Sequence, residues 1–242
     1  MVRTLRPIPS ASTRLLVFDL DGTLIDSRQD LCNSVNATLR NFGLPALDDA
    51  TIAGFIGDGA QMLIRRALAA PAERAAGVDP TDEAFFQQAF TYFLTWYRAH
   101  KLDNTYIYPG VLESLHALRL LPDGSPRPMA VLTNKPVGPA RAICNALGLA
   151  DFCFQVYGGD SFPSKKPDPE GLLSLIAQAG VTPQETTLIG DSDVDVRTAR
   201  NAGTAILGCS FGLAPDSLEQ AQPDVLVDHP SEWPFALGLS PA

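Results

Sequence analysis

Two aspartates, Asp19 and Asp21, are the residues of this sequence whose type and spacing point most directly to chemistry. They directly follow a short apolar run at residues 15–18, and Gly22 and Thr23 come next. An extended backbone carries the side chains of residues i and i+2 to the same side, so we expect the two carboxylates to share one small volume. Like charges that close repel unless a cation or a proton lies between them. The pair therefore indicates either a site for a hard metal ion or an acid–base pair.

The pattern DxDGT, residues 19–23, adds direction to that choice. One carboxylate could attack phosphorus and form an acyl phosphate, while the second moves a proton and Thr23 donates a hydrogen bond nearby. A divalent cation would then neutralise the phosphate. Acidic residues after a strand are also common in solvated turns, and short motifs match by chance. The motif therefore needs support from the rest of the chain.

That support comes from where the other predicted strands end. The run 15–18 predicts a strand buried on both faces. Strands are also predicted at residues 129–132, 154–157, 186–189, 205–207 and 225–227, and they alternate with helices, as in a parallel α/β sheet. Ligands bind such sheets at the carboxyl ends of the strands. Thr133, Asn134 and Asp191 follow predicted strands, as the two aspartates do, so we expect all five side chains at one edge.

Between Ser27 and about His100 the periodicity is helical throughout. One helix carries Leu31, Val35 and Leu39 on one face. A second begins after residue 59, and a third carries a broad aromatic stripe that we expect to be buried in a bundle. This stretch leaves the sheet at the same edge as the two aspartates. We therefore predict an α/β core of residues 14–26 and 106–242, and a helical cap of residues 27–105.

Composition limits the partners. The 242 residues carry a formal net charge of −9 with a pI near 4.7, which argues against binding nucleic acid or an anionic membrane. Residues 1–13 lack an apolar run long enough for a signal peptide, so we expect a loose leader. Four scattered cysteines without a CxxC pair and three isolated histidines are interpreted as structural, and we expect the thiols to be reduced. We expect a cytoplasmic protein, monomeric or homodimeric, that binds a small metabolite.

Four segments together resemble the ordered motifs of the haloacid dehalogenase superfamily of phosphatases. They are DLDGTLIDS (19–27), VLTNK (131–135), KKPDP (165–169) and GDSDVDVRTARNAG (190–203). The resemblance covers nearly the whole chain and implies a Rossmann-like parallel sheet with an inserted α-helical cap. Residues 56–59 and 65–68 are similar to the IGxG...RAL pattern in the cap of the phosphoglycolate phosphatase branch. This second match is shorter.

The resemblance implies a role for each matching core residue. Asp19 would be the nucleophile and Asp21 the general acid and base. Thr133 would hold the phosphate by its hydroxyl, with Asn134 beside it and backbone N–H groups of the following helix start assisting. Lys166 would be the cation that neutralises Asp19 and the transferring group, whereas its neighbour Lys165 is interpreted as a surface lysine.

The resemblance also implies Mg²⁺ as the cofactor. Asp19, Asp191 and the backbone carbonyl of Asp21 would bind the ion, and Asp195 would be a direct ligand or a support for one. Asp193 is interpreted as a solvated residue at a helix start.

In the cap, the backbone N–H groups of Gly57 and Gly59 and the guanidinium of Arg66 could meet a substrate carboxylate. Asp58 argues against this, because a like charge beside an anion is unfavourable and Arg66 could equally form an ordinary salt bridge.

The resulting expectation is a Mg²⁺-dependent phosphomonoester hydrolase acting through an aspartyl-phosphate, with 2-phosphoglycolate as the leading substrate. Alternatives are a phosphoglucomutase-like phosphotransferase, a phosphatase for another sugar phosphate or for pyrophosphate, and a non-catalytic phosphoacceptor regulator. A phosphonate-cleaving relative would need a cap lysine for a Schiff base, and residues 28–99 contain no lysine.

Overall fold

A computed structural model of the protein describes residues 2–8, 13–72, 79 and 81–238. The chain forms two compact units, Met1–Asp26 with Ile107–Ala242, and Ser27–Tyr106. This division falls one residue beyond the predicted boundary at 105/106. That the second unit acts as a cap stays a prediction.

The first unit is built on a seven-stranded sheet whose strands lie in the order β1-β9-β8-β7-β2-β5-β6. The strands are β1 (Arg3–Thr4), β2 (Leu15–Phe18), β5 (Met129–Leu132), β6 (Gln155–Tyr157), β7 (Thr186–Gly190), β8 (Ala205–Cys209) and β9 (Val225–Val227). All neighbouring pairs are parallel except β1 with β9. A separate two-stranded sheet, β3 (Ile25–Asp26) with β4 (Tyr106–Ile107), lies where the chain passes between the units. The predicted α/β fold is therefore confirmed.

The connections place the switch point of the sheet beside β2. From β2 the chain adds β5 and β6 on one side, then returns to add β7, β8 and β9 on the other. Strand order reverses between β2 and its neighbours, which is where open α/β sheets form their ligand crevice.

The central strands are buried on both faces, as their continuous apolar sequences predict. In β2, Leu16 and Phe18 pack into one hydrophobic cluster and Leu15 and Val17 into another. Each face is covered by helices, with Trp233 packing against Phe18 at a ring-centroid distance of 5.5 Å. The helices of this unit are α5 (Val111–Leu118), α6 (Val137–Ala146), α7 (Glu170–Ala179), α8 (Asp193–Ala202), α9 (Pro215–Ala221) and α10 (Trp233–Ala236).

The expected loose leader is wrong for part of residues 1–13. Arg3 and Thr4 pair antiparallel with Leu226 and Val225 and extend the sheet at its edge. Ile8 is buried in the core. Residues 1 and 9–12 lie outside the described part of the chain.

The second unit is helical, with α1 (Arg28–Asn41), α2 (Asp49–Ala53), α3 (Ala60–Ala72) and α4 (Glu83–His100). Its hydrophobic cluster includes Leu31, Val35 and Leu39 of α1. The aromatic stripe of α4 is only partly buried: Phe93 is buried, but Trp96 is half-exposed and stacks on His100 at 4.4 Å. Helix α2 was not predicted, because five residues give too little periodicity.

Among the described residues, none of the helices combines the length and apolar character that crossing a bilayer requires.

Candidate active site

The polar residues that follow β2, β5 and β7 lie along one edge of the sheet, because these strands are parallel neighbours. The N–H of Asp19 donates to the carbonyl of Ile189 at 2.8 Å, which continues the β2–β7 ladder to the nucleophile candidate. The N–H of Thr133 donates to Tyr157 at 3.0 Å in the same way on the β5 side. Backbone pairing therefore sets the position of both residues.

Three buried carboxylates form the centre of the site. One oxygen each of Asp19, Asp191 and Asp195 lie within 4.8 Å of one another. Lys166 bridges two of them, with its Nζ donating to Asp19 at 2.7 Å and to Asp195 at 2.6 Å. Only 3% of the Lys166 side chain is exposed, so its ammonium group lies inside the site and does not face solvent.

Burial makes two of these carboxylates, those of Asp19 and Asp191, hard to ionise. It raises the pKa of Asp19 from 3.8 to about 6, against the opposing effect of Lys166. Burial, reinforced by the charges of Asp19 and Asp195, also raises the pKa of Asp191 well above its ordinary value. For Lys166, burial alone would lower the pKa, but the two carboxylates outweigh it and the pKa is raised. Lys166 is therefore a permanent cation at neutral pH.

Asp191 sits in a close-fitting backbone cradle. Its Oδ2 accepts from the N–H of Leu213 at 2.7 Å, and its Oδ1 accepts from the Thr23 hydroxyl at 3.5 Å. A Cβ on Gly22 would lie 2.1 Å from Oδ2, and one on Gly212 would lie 2.3 Å from the Asp191 Cβ. Only glycine leaves room for the carboxylate at these two positions. Sequence patterns could not reveal the Gly212–Leu213 contact, because that loop lies 22 residues further along the chain.

The charges of this centre fit a divalent cation. Three carboxylates face one ammonium, which leaves two negative charges uncompensated in a buried volume. Carboxylate oxygens are the ligands that Mg²⁺ prefers in proteins. A hard divalent ion would restore neutrality and favour the charged forms of these carboxylates, which would offset the effect of burial on their pKa values.

Asp21 lies beside this centre and has a lysine of its own. Lys135 Nζ donates to both carboxylate oxygens of Asp21 at 2.8 Å, and 3% of the lysine side chain is exposed. No role for Lys135 is predicted from the sequence. Its signal was present, since a lysine directly follows Thr133 and Asn134 in the same strand-end motif.

The predicted phosphate-binding pair is buried at the end of β5. The Thr133 Oγ1 accepts from the N–H of Lys135 at 3.2 Å, which leaves its hydroxyl proton for another acceptor. Asn134 Nδ2 donates to the carbonyl of Lys166 at 3.0 Å, so this side chain holds the loop that carries the bridging lysine. Direct contact of either residue with phosphate stays a prediction.

The helix start after this pair offers fewer N–H groups than expected. The N–H of Val137 donates to Asp160 at 2.7 Å. Pro136 and Pro139 carry no N–H. These three positions therefore provide no free backbone donor for an anion, so fewer N–H groups of this helix start can assist Thr133 than predicted.

Asp195 and Asp193 behave differently at the start of α8. Asp195 is fully buried, and its second oxygen accepts from the Ser192 hydroxyl at 2.7 Å in a capping box. Both Asp195 oxygens thus have partners, and direct binding to a metal stays a prediction. Asp193 pairs with Arg197 at 2.9 Å and is 40% exposed, as its interpretation as a solvated residue requires.

The cap residues proposed for substrate binding lie around one loop of the helical unit. Gly57 and Gly59 have φ values of +119° and +86°. Arg66 donates to the Asp58 carboxylate and, at 3.2 Å, to the carbonyl of Phe55. Arg66 thus forms the salt bridge considered as its alternative role, and its contact with substrate stays a prediction.

The structure thus has a parallel α/β sheet with buried carboxylates and a bridging lysine at its switch point. The sequence matches the haloacid dehalogenase-like hydrolase family over residues 16–209. The chain belongs to this family.

Individual relatives agree with that membership. Phosphoglycolate phosphatase of Pseudomonas putida is 38% identical over 91% of this chain and 78% of its own length. The enzyme of the same name from Chromobacterium violaceum is 39% identical over 84% of this chain and 88% of its own. The crystal structure of a predicted phosphoglycolate phosphatase from Haemophilus somnus matches with a TM-score of 0.85 and 31% identity, covering 92% of this chain and 96% of the other. The chain is a phosphatase.

Proposed function

We propose that the protein is a Mg²⁺-dependent phosphomonoester hydrolase that acts on 2-phosphoglycolate through an aspartyl-phosphate on Asp19. The observation that carries the proposal is the bridge from Lys166 to Asp19, which holds the attacking carboxylate at the centre of the carboxylate cluster. The substrate is proposed from the names of the curated relatives, which this chain resembles over most of its length.

In the first half of the reaction, a carboxylate oxygen of Asp19 attacks phosphorus as the bond from phosphorus to the leaving oxygen breaks. Asp21 gives that oxygen a proton, so glycolate departs as the alcohol. In the second half, water attacks the phosphoryl group, its proton passes to Asp21, and the Asp19 carboxylate is released with inorganic phosphate. Lys166 stabilises the charge that builds on the phosphoryl oxygens.

Asp19 and Asp191 would hold Mg²⁺, with the backbone carbonyl of Asp21 and with Asp195 as a direct or supporting ligand. The bound ion would supply charge neutralisation and orientation of the phosphate. Thr133, and Asn134 beside it, would hold the phosphate oxygens. The four free cysteines among the described residues suit the cytoplasmic location that we propose.

The test is turnover of a panel of phosphate esters, ranked by kcat/KM, with Mg²⁺ and with EDTA. The panel contains 2-phosphoglycolate, several sugar phosphates, pyrophosphate and 4-nitrophenyl phosphate. We expect 2-phosphoglycolate to rank first and EDTA to abolish activity. A sugar phosphate or pyrophosphate in first place would overturn the substrate, and a phosphorylated sugar product in place of inorganic phosphate would indicate a phosphotransferase.

The covalent step has its own test. Rapid-quench mass spectrometry of the wild type during turnover should detect one phosphoryl group on the peptide that contains Asp19, and Asp19→Asn should reduce turnover to background. A well-folded Asp19→Asn variant with substantial activity would exclude the mechanism.

For the cap, the proposal is that Arg66 recognises the substrate carboxylate. Arg66 already binds one carboxylate, that of Asp58, and the carboxylate of the substrate would compete with it for the guanidinium. Arg66→Ala should therefore raise KM for 2-phosphoglycolate about tenfold or more while changing KM for 4-nitrophenyl phosphate little, as for a lost bidentate contact.

Arg65→Ala is the matched control for this experiment. Arg65 is about as exposed as Arg66, 38% against 36%, but its partner is Glu83 and its guanidinium lies over the Phe86 ring. Equal losses on both substrates after Arg66→Ala, or the same pattern after Arg65→Ala, would remove Arg66 from substrate recognition.

A further inference from the structure

Lys135 is the buried ionisable side chain next to the site that the proposed mechanism leaves without a role. Its Nζ donates to Oδ1 and Oδ2 of Asp21 at 2.8 Å each, and its side chain is as buried as that of Lys166. Burying an ammonium is costly unless its partner is well placed. A salt bridge on the surface would form without the cost of burying the ammonium, so the burial of Lys135 needs its own explanation.

The backbone around Lys135 is held from two sides. Its own N–H donates to Thr133 Oγ1 at 3.2 Å, and its carbonyl accepts from the N–H of Gly159 at 2.9 Å. A Cβ on Gly158 would lie 2.6 Å from that carbonyl oxygen, and one on Gly159 would lie 2.5 Å from the carbonyl oxygen of Asn134. The loop after β5 therefore packs directly on the backbone at Gly158 and Gly159, which fixes the position of the Lys135 main chain.

Asp21 needs such a partner more than its neighbours do. Asp21 lies in the turn after β2 and is not one of the three clustered carboxylates. It is also slightly more exposed than Asp19, with 13% of its side chain accessible against 10%. Proton transfer requires a carboxyl oxygen within hydrogen-bond reach of the leaving oxygen. A side chain that rotated freely would spend little time in that geometry.

We propose that Lys135 is a positioning residue that fixes the plane and rotamer of the Asp21 carboxyl group for proton transfer. Each carboxylate oxygen has a lone pair beyond the one that accepts from the ammonium, so one oxygen can face the leaving oxygen of the substrate while Lys135 holds the carboxyl group. Lys166 serves the phosphoryl side of the reaction and Lys135 serves the leaving-group side. This inference rests on the proposed role of Asp21 as general acid.

The experiment measures kcat/KM for Lys135→Met with two substrates of different leaving-group quality. For both substrates kcat/KM reports the transfer of the phosphoryl group to the enzyme. An alkyl phosphate such as 2-phosphoglycolate needs a proton on its departing oxygen, whereas 4-nitrophenolate leaves without one. We expect a loss of about 30-fold or more for the alkyl ester and about threefold or less for the aryl ester, within the range of general acid catalysis. Lys135→Arg, which keeps a cation able to hold both oxygens, should recover part of the loss.

The same measurement in an Asp21→Asn background separates positioning from direct phosphate binding. If Lys135 acts through Asp21, adding Lys135→Met to Asp21→Asn should change kcat/KM for 4-nitrophenyl phosphate by less than about twofold, because coupled residues are not additive. Lys165→Met, at an exposed lysine of the same unit, is the control and should leave both substrates unchanged.

An equal loss on both esters, or a further loss in the Asp21→Asn background, would overturn the proposal and assign Lys135 to the phosphate. Activity on 4-nitrophenyl phosphate also reports that each variant is folded. Failure of the proposed function would be seen separately in the wild type, which would then turn over neither ester with Mg²⁺ or would prefer another phosphate ester to 2-phosphoglycolate.

Discussion

The raised pKa of Asp19 predicts that, without bound metal, the protein becomes more stable when this carboxylate is replaced by an uncharged side chain. Burial raises this pKa from 3.8 to about 6, so the folded protein ionises the carboxyl less readily than the unfolded chain does. Between these two values the folded state keeps a proton that the unfolded state has lost. Stability without metal should therefore fall as the pH rises through this window, and the loss should be complete above the folded-state value.

The size of the effect follows from the same two values. A change from 3.8 to about 6 corresponds to roughly 3 kcal/mol of the free energy of unfolding. Asp191, whose pKa burial also raises, acts in the same direction. Asparagine at position 19 keeps the shape without the charge, so at pH 7.5 in EDTA the Asp19→Asn variant should be more stable than the wild type by about 3 kcal/mol.

Urea denaturation in EDTA at pH 5 and pH 7.5 measures this directly. The wild type should be less stable at pH 7.5, the Asp19→Asn variant should show a smaller difference, and saturating Mg²⁺ should restore the wild type through linked binding. Asp193→Asn, at an exposed carboxylate near the same site, should not alter the wild-type difference. Metal-free stability that is level or rises from pH 5 to 7.5 would refute the charge argument.

Three further pairs of substitutions, each a test variant with its matched control, probe separate parts of the structure. Lys166→Met should lower kcat by about 10²-fold or more, as for other lost transition-state donors, whereas Lys165→Met should stay within about twofold in a steady-state assay. Gly22→Ala and Gly43→Ala both place a side chain at positive φ, which alone costs about 1–2 kcal/mol in thermal unfolding. Only at Gly22 would the Cβ also meet Asp191, so Gly22→Ala should be the more destabilising of the two and only that variant should also lose Mg²⁺ affinity. Equal Mg²⁺ affinities would contradict this. Asp30 is 1% exposed and accepts five hydrogen bonds from Asn104 and Thr105, so Asp30→Ala should destabilise by about 3 kcal/mol or more, against less than about 1 kcal/mol for the exposed Asp49→Ala.

The sheet could be predicted because its central strands are encoded locally. Leu15–Phe18 and Met129–Leu132 are continuous apolar runs, and Thr186–Gly190 contains the apolar pair Leu188 and Ile189. A polar residue follows each strand, and the parallel order carries these residues to one edge. The edge strand Arg3–Thr4 could not be predicted in this way. Its two polar residues have no strand pattern of their own, and pairing with β9 alone defines it.

The site was predictable to the extent that its residues sit directly after those strands. The partners of those residues were not, because contacts such as Lys135 with Asp21 join positions 114 residues apart. The same limit applies to Val137, whose N–H is taken by Asp160 through a loop-to-loop contact. Patterns along the chain indicate which side chains reach the edge, whereas folding decides which of them neutralise one another.

The two lysines divide the charge of the site unequally, and this has a consequence for substrate binding. Asp21 and Lys135 form a pair without net charge, whereas the cluster around Lys166 keeps two negative charges in excess. A phosphate dianion that approached this cluster without a cation would add like charge to a buried, poorly solvated group, which is strongly unfavourable. The chain as a whole, at a net charge of −9, provides no attractive field to offset this. If all three carboxylates are ionised, we therefore expect a cation to bind before or together with the phosphate, so that a metal ion would be needed for substrate binding as well as for the proposed catalysis.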